Sequence, residues 1–153
     1  MAPSTVRGLA LPERLAALID RDLWHHPGDA VSAEVVPWFE DLLAFVSDAE
    51  QMDLASRSMD LFADDPHCAF FRQARGSRGT VPLDLPWLDV EHAVLIAITR
   101  NPGDDGALAL DYRTDPSDPR AVGSDFWTDP RRCRCRRRAV APTFSALVTG
   151  RGL

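Results

Sequence analysis

The apolar run Ala93-Val94-Leu95-Ile96-Ala97-Ile98 limits the fold of this chain more than any other stretch. It follows His92 without a polar break, is rich in β-branched residues, and is far too short to span a bilayer. Strand periodicity puts Val94, Ile96 and Ile98 on one face and Leu95 and Ala97 on the other, so the strand is expected to lie centrally in a sheet, buried on both sides. The turn Asn101-Pro102-Gly103-Asp104-Asp105-Gly106 then returns the chain through Ala107 to Arg113, which predicts a hairpin. A further strand is expected over Ala121 to Trp127. Alternation across Arg131 to Arg138, with Cys133 and Cys135 on one face and arginines on the other, predicts an edge strand. Thr143 is placed to cap a last short helix carrying Phe144 and Leu147, with Gly150 ending it.

Ahead of His92 the period is helical. After a flexible tail over residues 1–10, Leu11, Leu15, Leu18, Ile19 and Leu23 mark a helix with Pro12 in its first turn, and Gly28 ends that unit. Val36, Phe39, Leu42, Leu43 and Val46 make a second helical stripe. Ser47-Asp48-Ala49-Glu50 has capping-box spacing and predicts a third helix that turns Met52, Met59 and Phe62 inward. Asp65-Pro66 opens a short fourth helix with Phe70 and Phe71. Residues 11–153 are therefore read as one α+β domain, an antiparallel sheet in the C-terminal half packed against helices mainly from the N-terminal half.

Composition removes several chemistries. All 17 basic residues are arginine, so a P-loop lysine, a Schiff-base lysine or a kinase lysine cannot be supplied. The N-terminus shows no charged-then-apolar signal pattern, and Cys68, Cys133 and Cys135 are an odd count, so reduced thiols and a cytoplasmic location are expected, with no membrane association. Charge is unevenly spread. Residues 29–71 hold ten acids against the single base Arg57, a net of −9, whereas residues 131–153 hold seven arginines and no acid. The two regions either attract one another within the fold or leave an acidic face open to a basic partner.

His67-Cys68 with Cys133 and Cys135 offers one imidazole and three thiolates, but the spacing matches no zinc-finger pattern, and packing is the simpler role; no metal or other cofactor is expected. His25-His26 is read as a cation at the end of the first helix. Asp104, Asp105 and Asp111, with His92, are the only arrangement that suggests a metal-dependent hydrolase, and turn chemistry accounts for the same aspartates without catalysis. Trp24, Trp38, Trp87 and Trp127 read mainly as core, with Trp87 and Trp127 beside prolines or turns where an indole can anchor a partner. The arginine run lacks interleaved aromatics and sits in an acidic chain, which argues against direct nucleic-acid binding.

Three motifs follow one another: Pro86-Trp87-Leu88-Asp89, the turn and strand from Gly103 to Tyr112, and Val140-Ala141-Pro142-Thr143-Phe144. Their order resembles bacterial members of the SUKH superfamily, the SMI/KNR-like domains related to fungal cell-wall-assembly and killer-toxin-resistance regulators. The Asn-Gly-Gly turn common near the start of that family is missing, and Cys133 to Arg138 stands where a more apolar strand is usual. The resemblance implies an α+β binding scaffold without catalysis, often an immunity protein that neutralises a toxin. An adaptor of a cell-envelope or secretion assembly is the other role it implies. Taken with the charge pattern, it nominates Glu40, Asp41, Asp48, Asp64, Asp65, Trp87, Asp104 and Asp105 as partner-binding residues, with a nuclease toxin as one candidate partner.

Overall fold

A computed structural model describes residues 4–35, 43–64, 90–100, 107–125 and 136–150. The elements are β1 (Thr5–Val6), β2 (Leu9–Ala10), α1 (Glu13–Asp20), α2 (Asp29–Val35), β3 (Leu43–Phe45) and α3 (Ala49–Asp64). A 3-10 turn at Val90–His92 then leads into β4 (Ala93–Thr99), β5 (Ala107–Asp111), β6 (Arg120–Asp125), β7 (Arg136–Ala141) and α4 (Phe144–Thr149). Strands β3 to β7 form one antiparallel sheet in sequence order, with β4 packed against α3. The expected α+β class is the observed one, with the expected hairpin and the strand after it in place, and β3 joins the sheet from the N-terminal half.

One face of the sheet builds the main core. Val94, Ile96, Leu108, Leu110, Ala121 and Ala141 meet Leu11, Leu15 and Leu18 from α1 and its entry, Met52 from α3, and Phe144, Leu147 and Val148 from α4. Ala93, Leu95, Ala109 and Val122 point the opposite way and are buried as well, so β4 is covered on both faces. Its alternation is not regular. Leu95 pairs with Ala109 and Ala97 with Leu108, which leaves Ile96 as the extra residue of a β-bulge. A bulge inverts the face of every later residue. Ala97 consequently joins Val94 and Ile96 in the core, and Ile98, expected beside them, turns to the other face and is 38% exposed.

The tail expected over residues 1–10 is folded from Thr5 onward. Arg7 and Gly8 both adopt left-handed conformations, φ 55° and 79°, which is the two-residue turn a right-twisted hairpin requires, and Val6 is fully buried. The turn is held by α3. Arg7 N–H donates to Asp53 Oδ1 at 3.2 Å, and its guanidinium donates to the Ser56 carbonyl at 3.4 Å. Asp53 Oδ2 also takes Arg57 at 2.6 Å.

Helix α1 stops at Asp20, eight residues before Gly28. Asp22 sits at φ 54°, Leu23 N–H donates to the Leu18 carbonyl and Asp22 N–H to the Ile19 carbonyl, which together make a Schellman stop with aspartate in the left-handed position. His25 and His26 therefore lie in a loop and not at a helix end. His26 Nδ1 accepts from Gly28 N–H, and its ring meets Phe45 edge-on at 5.3 Å. The helix expected to carry Leu43 and Val46 is replaced, at Leu43–Phe45, by a strand. Trp24 explains the preference: its indole stacks on Phe45 at 4.5 Å and its Nε1 donates to the Val46 carbonyl at 2.9 Å, contacts that favour an extended backbone there.

Helix α3 begins where predicted, but with Asp48 as the cap in place of Ser47. Asp48 Oδ1 accepts from Gln51 N–H at 2.9 Å, and the Ser47 hydroxyl donates to Oδ2. Past the end of β3 the helix takes over the edge of β4, and the buried Ser56 Oγ accepts the Leu95 N–H at 3.0 Å. At the far end Thr143 Oγ1 accepts from Ala146 N–H as expected, and Asp118 from the β5–β6 loop accepts from Ser145 N–H. Gly150 ends α4 in a right-handed conformation. The segments holding His67, Cys68, Trp38, Trp127, Cys133, Cys135 and the predicted helix at Pro66 lie outside the described residues.

Candidate protein-binding surface

A groove of about 290 Å³ runs between β3 and α3. It is lined by Ala44, Phe45, Val46 and Ser47 from β3 and the residues after it, by Gln51, Leu54 and Ala55 from α3, and by Ile98 from β4. Leu54 is 63% exposed and lies off the buried side of α3, which carries Met52 and Ser56. Ile98 reaches the groove because of the bulge at Ile96. The surface is therefore apolar where a folded chain ordinarily places polar side chains on a half-buried strand and the outer side of a helix.

All of the groove residues except Ile98 come from the acidic part of the sequence. Positions 43–56 contain Asp48, Glu50 and Asp53 and no basic residue. Their roles differ. Glu50 is exposed in the first turn of α3. Asp48 is engaged as the helix cap, and the Gln51 N–H and the Ser47 hydroxyl hold its carboxyl below the usual range, so it stays ionised. Asp53 is committed to Arg7 and Arg57. On α2, Glu34 is exposed and Asp29 pairs with Arg100 at 3.0 Å.

Of the carboxylates nominated from the sequence, Asp48 directly follows Ser47 of the groove lining and Asp64 is the last residue of α3. Glu40, Asp41, Asp65, Trp87, Asp104 and Asp105 lie outside the described residues. The groove itself was not anticipated. Leu54 could have been found as an apolar residue off the Met52 stripe, whereas Ile98 carried no signal, since nothing in the sequence marks the bulge.

Asp111, the third aspartate of the hydrolase reading, sits on β5 with its side chain fully buried. Arg113 binds it with both Nε and Nη2 at 2.9 Å and with its own backbone N–H at 3.1 Å; Arg120 adds Nε at 2.8 Å and Nη2 at 2.6 Å. Burial opposes ionisation, but these donors outweigh it and hold the carboxyl below its usual range. Both oxygens are thus fully engaged, which leaves no lone pair directed at a cation. Among the described residues no three His, Cys, Asp or Glu side chains converge as a metal ion would need, and no helix is long and apolar enough to cross a membrane.

Comparison of the chain with protein-family models, curated proteins and solved structures finds no match.

Proposed function

We propose that this protein is a non-catalytic binding module of the immunity type, acting in the cytoplasm to neutralise a partner toxin through an acidic surface. The observation that carries the reading is the exposed apolar groove between β3 and α3, which takes Ile98 from β4 and otherwise comes from residues 44–55, where Asp48, Glu50 and Asp53 are the only charged residues. An apolar centre with a polar rim is the usual anatomy of a protein interface. Carboxylates around it discriminate in favour of a basic partner and speed encounter with it. A toxin that acts on nucleic acid fits that chemistry, because its own cleft must be basic to hold phosphates, and acidic side chains placed there occlude it.

The SUKH resemblance supports the same role independently of the charge argument, and the α+β sheet with a helix against it is compatible with that scaffold. The test is co-expression with the product of a neighbouring toxin-like gene. Restored growth together with a co-purifying complex is the expected result. The absence of both rescue and complex would remove the proposal.

A further inference from the structure

We infer that the β3–α3 groove receives a cationic segment of the partner protein, one apolar side chain of which seats against Ala44, Leu54 and Ile98 while flanking arginines or lysines face Asp48 and Glu50. The inference rests on the binding-module reading above and adds to it a location and a recognition chemistry.

Three observations lead there. First, of the large hydrophobic side chains exposed among the described residues, Leu54 and Ile98 share this groove. Second, its volume of about 290 Å³ falls just below the range for small-molecule sites, roughly 300–1,000 Å³, and its lining brings no convergent set of polar groups together to orient a metabolite. A projecting side chain is the occupant such a space fits. Third, the charges beside the groove leave a net negative rim. Arg57 and Arg100 are each paired with an aspartate, Asp53 and Asp29, whereas Asp48 and Glu50 enter no salt bridge among the described residues, so a basic polypeptide is favoured over anionic lipid headgroups and nucleic acid.

The probe is a short fluorescein-labelled peptide of alternating arginine and leucine, followed by fluorescence anisotropy against the full chain at moderate salt. Matched peptides carry serine for leucine or glutamate for arginine. Binding of the arginine–leucine peptide is expected, with on the order of tenfold weakening for Leu54→Arg and for Ile98→Arg, as expected for a central apolar contact. Both control peptides should bind at least that much less tightly. Glu13→Arg, a larger charge change at an exposed position of α1 outside the groove, should leave affinity within about twofold. Circular dichroism verifies that the variants are folded.

Equal binding of the serine peptide, or indifference to both groove variants, would show simple charge attraction and overturn the inference. So would a concentration-dependent dimer that Leu54→Arg abolishes, since the occupant would then be a second copy of the chain. The two levels of the reading separate in the growth assay. Rescue by the wild type and equally by Leu54→Arg leaves the immunity role standing and removes the groove, whereas failure of the wild type removes the role while the peptide result stands on its own.

Discussion

Replacing Asp111 with asparagine is the sharpest test of how the sheet is held at its β5–β6 end. The substitution keeps the shape of a fully buried side chain but cancels its charge and turns one acceptor oxygen into a donor that faces guanidinium N–H groups. Removing one partner of a fully buried ion pair costs about 3–5 kcal/mol. Arg113 and Arg120 keep 23% and 18% of their side chains exposed and can turn partly to water, which reduces the figure to about 2–3 kcal/mol. In a domain of this size that corresponds to a fall in Tm of roughly 4–12 °C. The pH dependence identifies the cause. A carboxyl whose folded pKa lies below its unfolded value stabilises fully above about pH 4 and loses that contribution as the pH falls through the folded pKa. The gap between wild type and Asp111→Asn in urea unfolding should therefore be flat from neutral pH down to about pH 5 and close in stronger acid. Asp48 and Asp115 are depressed too, but they are present in both proteins and cancel in the difference. A gap below about 0.5 kcal/mol at neutral pH, or one that persists undiminished in strong acid, would refute the reasoning.

Three further substitutions probe local devices. Ser56→Ala should cost about 1–3 kcal/mol, because the buried Leu95 N–H loses its acceptor, and hydrogen exchange should show faster exchange at that amide. Asp22→Gly should raise stability by about 0.5–1 kcal/mol in chemical denaturation, since glycine adopts the left-handed stop of α1 without the penalty aspartate carries. Thr143→Ala should remove about 1 kcal/mol by uncapping α4, measured the same way, whereas Thr143→Ser should retain most of it.

The parts of the fold legible in the sequence are those governed by neighbouring residues. The apolar run of β4, the return through β5, and the Thr143 cap with Phe144 and Leu147 behind it follow from periodicity and side-chain chemistry within a few positions. The parts that were not legible depend on partners far along the chain. Leu43 to Phe45 has helical spacing, yet Trp24 and β4 make it a strand. Arg7-Gly8 is a weak turn signal until Asp53 and Ser56 hold it. Asp22 stops a helix whose apolar pattern continues to Leu23. The candidate surface was legible only as charge. Its acidic half could be counted from the sequence, whereas the place of Ile98 in its apolar lining depends on a bulge at Ile96 that has no glycine or proline to announce it.

The hydrogen bond from Leu95 to Ser56 bears on how this chain survives at high concentration. The β4 strand is the most apolar segment of the protein, and a free edge on it would be a template for pairing with the same strand of another molecule. Strand β3 spans three residues, too few to shield β4 along its length, and α3 continues the protection with a serine hydroxyl in place of a further strand. A hydroxyl on a helix satisfies this edge amide without offering a new row of backbone groups. The sequence most inclined to assemble into fibres is thereby closed off by an element that cannot itself be extended by strand addition.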